Sequence, residues 1–172
     1  HAGKVESVTV DMGIPLLEPK AIPVTDPGTD FIDRPLHICG RTWRITAGSM
    51  GNPHAIVFTH DIDKLNLAEL GPLFEHHALF PRRINTEFVE ILDRKTIRMR
   101  VWERGAGETL ACGTGACASV VASVLNGYTE PNVTVFLRGG KLDIKWDEST
   151  RHVFMTGNAD VVFTGEYEEP KE

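Results

Sequence analysis

The chain has 172 residues, an apolar fraction of 41%, a charged fraction of 24% and a formal net charge of −6. This size and composition are typical of one globular domain with a substantial core, and the negative charge gives no electrostatic reason to expect a nucleic acid or an anionic membrane as partner. No apolar run approaches the ~20 residues of a membrane span. Three cysteines, an odd number, argue against a disulfide framework, so we expect a protein of the reducing cytoplasm.

Alternating apolar and polar residues, the period of a half-buried strand, recur along the first half of the chain. The strands predicted in this half are residues 5–11, 37–39, 42–46 and 55–59. A helix is expected from Leu65 to about His76, with Asp61 or Asp63 as its N-cap. Gly71-Pro72 lies inside that helix and predicts a break or a restart there.

The second half predicts more strands and one unusual helix. The strands expected here are residues 86–92, 96–102, 133–137, 142–146, 152–156 and 160–164. The helix, Ala116 to Leu125, has small or apolar residues on every face and should be buried all round, with Gly127 at its C′ position. Most strand connections are short, which requires antiparallel neighbours. We therefore expect an α+β fold, a mostly antiparallel, barrel-like sheet wrapped around a central helix, with a frayed tail at 166–172.

The junction of a predicted strand and this helix has the most distinctive chemistry. Residues 103–118 read E-R-G-A-G-E-T-L-A-C-G-T-G-A-C-A, which places the thiol of Cys112 at the mouth of the helix. Backbone N–H groups and the helix dipole favour negative charge there, so this thiol is expected to have a lowered pKa. The same N–H groups could hold a substrate carboxylate. Cys39 and Cys117 are expected to be structural thiols.

From residue types alone, other interpretations stay open. Cys112 could be a nucleophile, a base, part of an anion site or a buried structural thiol. Glu103 and Arg104 could be a solvated salt-bridging pair, and a lone histidine such as His54 is more often structural than catalytic. No pair of His, Cys or carboxylate residues has a spacing typical of metal ligands.

Three stretches of the sequence resemble the diaminopimelate epimerase family. They are S-M-G-N-P-H at 49–54, E-R-G-A-G-E-T at 103–109 and A-C-G-T-G-A at 111–116, in the family's order and spacing. The resemblance implies a fold of two similar domains, each a barrel-like sheet around a central helix, with the active site between them. Residues 1–172 look like the C-terminal domain, with 1–15 as a junction segment. The N-terminal domain, with the first catalytic cysteine motif, is not in this sequence.

The resemblance also implies a reaction. These enzymes invert one α-carbon, converting LL- to meso-diaminopimelate for lysine and peptidoglycan synthesis, without pyridoxal phosphate or a metal. A thiolate removes the α-proton from one face and a thiol returns one to the other, because a single base tends to return the proton to the face it came from. Cys112 resembles one thiol of this pair, Glu103 the residue that assists it, and His54 the residue that assists the absent thiol.

The remaining site residues follow from the same resemblance. The substrate-binding residues it implies are Asn52, Asn85, Glu103, Arg104, Gly113 and Thr114. Arginine suits a carboxylate because its guanidinium can bind both oxygens, and backbone N–H groups near Gly113 and Thr114 could stabilise the carboxylate of a carbanionic intermediate.

The resemblance implies diaminopimelate and the missing N-terminal domain as partners, with a homodimer of the complete enzyme left open, and we expect the chain alone to be inactive. Two alternatives remain. One is a proline racemase or another amino-acid racemase of the same fold, and the other is a non-catalytic amino-acid-binding domain. A cysteine hydrolase with His54 as base is weaker, because no third residue to orient the histidine is evident.

Overall fold

The computed structural model describes residues 5–168, and within them the chain forms ten strands and two α-helices. The strands are β1 Ser7–Asp11, β2 Arg34–Ile38, β3 Arg41–Ser49, β4 Pro53–Phe58, β5 Asn85–Asp93, β6 Thr96–Glu103, β7 Gly107–Thr109, β8 Asn132–Leu137, β9 Gly140–Trp146 and β10 Val153–Asn158. The helices are α1 Leu67–Glu75 and α2 Gly113–Leu125, and a short 3₁₀ turn, Ile62–Lys64, precedes α1.

All ten strands belong to one sheet. Nine lie side by side in the order β1-β10-β9-β8-β6-β5-β4-β3-β2, and β7 pairs with β6 outside this path. The pairs β4–β5 and β6–β8 are parallel, and the other pairings are antiparallel. Each parallel pair needs a crossover connection, and α1 and α2 lie in these two connections. Since β1 and β2 form separate edges in the described chain, the mostly antiparallel sheet is open and is not closed into a barrel.

Helix α2 is the centre around which the sheet curves. It contacts β3, β4 and β5 on one side and β8, β9 and β10 on the other. Every residue from Gly115 to Ser123 is buried, which confirms the prediction from its small, apolar composition. The buried Ser123 hydroxyl donates to the Ser119 carbonyl at 2.7 Å, so this polar group is satisfied inside the core. Gly127 follows the helix with a φ of +73°, as expected for a C′ glycine.

Helix α1 covers the opposite face of the sheet. On β4, Ala55 and Val57 pack in the core beneath α1, whereas Ile56 packs in the core around α2, as the alternation of a strand requires. The α1 core includes edge-to-face contacts of the Phe74 ring with Trp43 and Phe88, at centroid distances of 5.6 and 5.4 Å.

The start and interior of α1 differ from the prediction. The helix begins at Leu67 with Asn66 as N-cap, and Asp61, with a φ of 54°, caps only the 3₁₀ turn and makes no side-chain cap hydrogen bond. Pro72 lies inside α1 without ending it. Pro72 has no N–H to donate within the helix, but the helix continues, and the neighbouring Gly71 packs directly against the ring of Trp102.

The strand predicted at 160–164 is wrong. These residues have no secondary structure, and the side chains of Val161, Val162 and Phe163 are 80–85% exposed. The reason is that β10 is paired with β1 on the side away from β9. Residues 160–164 therefore have no adjacent strand edge with which to form backbone hydrogen bonds. Residues 166–168 are also irregular, whereas 169–172 of the predicted frayed tail, and 1–4 of the predicted junction segment, lie outside the described residues. No helix in the described range is long and apolar enough to cross a membrane.

Candidate active site

Cys112 is the N-cap residue of α2. Its backbone is extended, and its Sγ accepts a hydrogen bond from the Gly115 N–H at 3.4 Å, with Thr114 Oγ1 3.5 Å away. The first intrahelical bond runs from the Ala116 N–H to the Cys112 carbonyl at 2.9 Å. The N–H groups of Gly113 and Thr114 therefore have no acceptor within the helix, and they lie beside the thiol where a carboxylate could bind.

The pKa of the Cys112 thiol is raised, opposite to the direction expected from its place at the helix N-terminus. Burial is the largest cause, since the residue is only 7% exposed, and the negative charge of Glu87 comes second. Hydrogen bonds from Thr114 and Gly115 lower the pKa, and the charge of Glu103 raises it slightly further. Desolvation and two carboxylates thus outweigh the favourable end of the helix.

This raised pKa predicts slow alkylation of Cys112. The thiolate is the reactive form, so its fraction, and with it the rate, should fall as pH drops, with a midpoint above the ordinary value of 9.0. We expect iodoacetamide to modify Cys112 more slowly than the exposed Cys39 at pH 8, as followed by mass spectrometry of the peptides between pH 7 and 10.5. Cys117, whose burial raises its pKa to about 12, is the internal control. A midpoint for Cys112 below pH 8 would contradict the prediction.

His54 is held between two polar side chains in the interior. Its Nδ1 is 2.7 Å from Oε1 of Glu87, and its Nε2 is 3.0 Å from Oδ1 of Asn52. The side chains of His54 and Glu87 are both completely buried. They lie on the neighbouring parallel strands β4 and β5, so regular sheet pairing determines how the carboxylate meets the ring.

Asn85 joins two of the sequence motifs through its amide group. Its Nδ2 donates to the Pro53 carbonyl at 3.0 Å, and its Oδ1 accepts from the backbone N–H of Arg104 at 2.9 Å. Its amide is thus engaged within the fold, where it holds the backbone of Arg104 in place. The exposed Arg104 side chain uses one donor on the Arg82 carbonyl, at 3.1 Å, and its guanidinium has further donors for a ligand.

Glu103 ends β6 close to the thiol. Its Oε1 accepts a hydrogen bond from the Thr109 hydroxyl at 2.5 Å, across the pairing of β6 with β7. Its charge contributes to the raised pKa of Cys112. The turn between β6 and β7 therefore presents this carboxylate in a fixed orientation near the start of α2.

The buried carboxylate of Glu75 also binds the turn between β6 and β7. Glu75, at the end of α1, accepts from Trp102 Nε1 at 2.7 Å and from the Gly105 N–H at 3.0 Å. Burial opposes ionisation of Glu75, but these hydrogen bonds and the nearby charges of His76 and Arg83 leave its pKa lowered. Glu75 thereby ties α1 to the turn that carries Glu103 and Arg104.

The structure thus brings the predicted residues into two groups. One contains Asn52 and His54, and the other contains Glu103, Cys112, Gly113 and Thr114, with the amide of Asn85 holding the backbone of Arg104 beside them. The roles implied for these residues stay predictions. Within residues 5–168, no group of three or more His, Cys, Asp or Glu side chains is arranged to hold a metal ion.

Sequence reasoning missed Glu87 and Glu75. A signal for Glu87 was available, because residues two apart on a strand share a face and Asn85 was already a candidate. No comparable signal existed for Glu75, because a carboxylate on a predicted surface helix is ordinarily expected to be solvated.

The chain is similar to known sequences named diaminopimelate epimerase. A family model described as diaminopimelate epimerase matches residues 46–162. A relative named diaminopimelate epimerase from Desulfovibrio desulfuricans is 58% identical over 97% of this chain, and one from Acetivibrio thermocellus is 56% identical over 95%. The chain spans about 60% of the length of these relatives.

Solved structures with low sequence identity show the fold alone. A hydroxyproline epimerase from Agrobacterium vitis superposes with a TM-score of 0.63 at 15% identity, over 92% of this chain and 51% of that one. A probable proline racemase from Agrobacterium radiobacter superposes with a TM-score of 0.59 at 14% identity, over 95% of this chain and 56% of that one. The predicted fold class is therefore confirmed, as a mixed, mostly antiparallel open sheet around a central helix.

Proposed function

The chain belongs to the diaminopimelate epimerase family, and from that premise we propose that it supplies one half of an amino-acid epimerase site. In this proposal Cys112 is one of two thiols that move a proton at Cα of diaminopimelate. The observation that carries it is the position of Cys112 as the N-cap of a buried helix, beside two N–H groups, of Gly113 and Thr114, that have no intrahelical acceptor. Lysine and peptidoglycan-precursor synthesis in the cytoplasm is the corresponding biological role.

The helix N-terminus suits the charge that develops in this reaction. When the Cα proton leaves, negative charge spreads onto the substrate carboxylate. In this proposal the N–H groups of Gly113 and Thr114, together with the positive end of the α2 dipole, stabilise that charge without reorganisation. The chemistry requires no group beyond the two thiols and these donors, and we therefore propose a reaction without cofactor or metal.

The raised pKa of Cys112 suggests its direction of action. A thiol that stays protonated at neutral pH is suited to donate its proton to the carbanion, while a thiolate on the opposite face takes the original Cα proton. After one turnover Cys112 is the thiolate and the opposite group is the thiol, so the reverse reaction uses the same two residues. Glu103, whose charge acts on Cys112, is proposed to assist proton movement at this thiol.

The other two cysteines are poorly placed to be the opposite thiol. Cys117 is buried in the body of α2, on the same helix as Cys112, and Cys39 is exposed at the turn between β2 and β3. We propose that the second thiol belongs to another domain and is assisted by His54. The substrate's distal end would contact Asn52 and Arg104, with Asn85 holding the Arg104 backbone. A homodimer of the complete enzyme is compatible with this arrangement.

The first test uses the chain as it stands. Incubated with LL-diaminopimelate in deuterium oxide, it should produce no meso isomer and should incorporate no deuterium at Cα, because the thiolate that removes the original proton is proposed to belong to another domain. Nuclear magnetic resonance measures exchange, and chiral chromatography measures inversion. Substantial inversion by the chain alone would show that the second thiol is not required from elsewhere.

The second test restores the missing part. The chain covers 60% of the Desulfovibrio desulfuricans relative, and a hybrid joins the N-terminal two-fifths of that relative, which we propose to hold the second thiol, to residues 1–172. We expect the hybrid to interconvert LL- and meso-diaminopimelate and to leave L-proline and trans-4-hydroxy-L-proline unchanged. Turnover of the proline substrates would favour the racemase alternative, and calorimetric binding without turnover would favour a binding domain.

A further inference from the structure

Glu87 is a buried carboxylate that the proposed reaction does not use. Its side chain is completely buried, and Oε1 lies 2.7 Å from Nδ1 of His54. Its second oxygen, Oε2, accepts no hydrogen bond from the described residues. Burial of a carboxylate with so few partners is unfavourable compared with an apolar side chain. Stability of the core therefore does not explain this residue.

The sheet determines which group the carboxylate meets. On the parallel pair β4–β5, His54 is opposite Asn85 and Ile56 is opposite Glu87. Residues two apart on a strand face the same way, so His54, Asn85 and Glu87 all project to one face of the sheet. This is the face covered by α2, because Ile56 packs in the α2 core.

The start of α2 meets the same carboxylate from the other side. A Cβ on Gly115 would lie 2.6 Å from Glu87 Oε1 and 3.2 Å from Cys112 Sγ. The absence of a side chain at this position therefore lets the carboxylate lie against the first turn of the helix. Since the Gly115 N–H also donates to Cys112 Sγ, one glycine separates the carboxylate from the thiol.

We propose that Glu87 is a positioning residue of this site, which fixes the ring and the hydrogen placement of His54 and lies as a negative charge against the helix turn that carries Cys112. The inference rests on the proposed function only in giving His54 and Cys112 their chemical roles. Within this chain, Glu87 lies between His54 and the helix turn that carries Cys112.

The hydrogen-bond geometry indicates how Glu87 determines the hydrogen placement on the His54 ring. An ionised carboxylate is an acceptor, so in this proposal Nδ1 of His54 carries the hydrogen that lies between them. Nε2 faces Oδ1 of Asn52, on the loop that follows β3, and because this oxygen also accepts, the contact is a hydrogen bond only when Nε2 also carries a hydrogen or the Asn52 amide is turned to present its NH2 group. Ring orientation and tautomer are commonly set by the partner of the other ring nitrogen, and Glu87 is that partner here.

The Glu87 carboxylate also acts on Cys112 through its charge. The titratable groups that face the Glu87 carboxylate are His54 from β4 and Cys112 from the start of α2, and Glu103 at the end of β6 also acts on the thiol. A fixed negative charge disfavours the thiolate, in agreement with the contribution of Glu87 to the raised pKa of Cys112. This keeps the thiol protonated and ready to donate.

Two variants separate the charge from the hydrogen bond, both in a Cys39→Ser background so that the exposed thiol does not react. Glu87→Gln keeps an acceptor for Nδ1 and removes the charge. We expect His54 to keep its Nδ1–H, while the midpoint of Cys112 alkylation falls by about half a pH unit, roughly a threefold gain in thiolate at a given lower pH. Glu87→Leu removes the acceptor as well, and His54 should lose its Nδ1–H preference.

The readouts are ¹⁵N resonances of the His54 ring and the pH profile of Cys112 alkylation in the 172-residue chain. Glu90→Gln is the matched control, because Glu90 is a carboxylate on the same strand that pairs with Arg98; it should change neither readout. A wild-type His54 with hydrogen only on Nε2, or a folded Glu87→Gln variant with an unchanged midpoint, would overturn the proposal.

The wild-type ring measurement decides the question even if both Glu87 variants fail to fold. None of these readouts depends on turnover. An inactive hybrid would therefore count against the proposed function and leave the assignment of Glu87 intact. An active hybrid in which His54 carries its hydrogen only on Nε2 would support the proposed function and overturn the assignment of Glu87.

Discussion

Replacing Cys112 by serine is expected to lower the epimerase activity of the hybrid by about 10²–10⁴-fold, the usual contribution of a positioned acid–base group. Serine keeps the approximate size and the N-cap function of the residue, since its oxygen can accept from the Gly115 N–H as Sγ does. The loss should therefore appear in kcat with little change in stability. The measurements are kcat and KM from chiral chromatography and the midpoint of urea unfolding.

The control for this substitution is Cys39→Ser, which removes an exposed thiol at the β2–β3 turn and should leave kcat unchanged. Deuterium exchange adds a second readout. Because Cys112 is assigned to one face only, the serine variant should still exchange the proton that the opposite thiol removes, but it should not invert the centre. A Cys112→Ser hybrid with more than about a tenth of the wild-type kcat would contradict the assigned role, given the size of the usual contribution.

Replacing Gly71 by alanine is expected to destabilise the chain by about 2–4 kcal/mol. In an open helix this change is favourable by about 1 kcal/mol. Here a Cβ would lie 2.1–2.5 Å from three ring atoms of Trp102, and overpacking of a filled core costs about 1–3 kcal/mol. The displaced indole would also lose its hydrogen bond to the buried Glu75, which is worth about 1.5–3 kcal/mol for a charged acceptor. Urea unfolding gives the difference.

Two further variants separate these contributions. Ala68→Gly, at an exposed position of the same helix, measures helix propensity alone and should cost about 1 kcal/mol. In a Trp102→Leu background the clash is relieved, so Gly71→Ala should become neutral or stabilising there, which a double-mutant cycle reports as coupling. A Gly71→Ala variant as stable as the parent would show that the ring of Trp102 moves without cost.

Much of the sheet was predictable because strand alternation is a local property. The hairpin of β5 and β6 and the hairpin of β8 and β9 formed where alternating segments flank a short turn. The buried α2 followed in the same way from a run of small residues. Residues 160–164 alternate as well and form no strand, since pairing depends on a free neighbouring edge and β1 occupies the edge of β10.

The alternation of apolar and polar residues could not predict the two parallel strand pairs, β4–β5 and β6–β8. Parallel pairing joins segments that are separated along the chain by a helix, and alternation contains no information about which strand lies next to which. The position of Glu87 depends on this pairing, because only the β4–β5 contact brings its carboxylate to His54. In the sequence it is one more polar residue on a strand.

The sequence by itself determined the family, the chemical candidates and the thiol at the mouth of a buried helix, because those features lie in short contiguous motifs. Only the tertiary structure decided the electrostatic state of that thiol. The helix N-terminus predicts a lowered pKa for Cys112, but burial and the carboxylates of Glu87 and Glu103 raise it. Desolvation and through-space charge depend on which distant residues meet at the site, and that is a property of the packed sheet and helix.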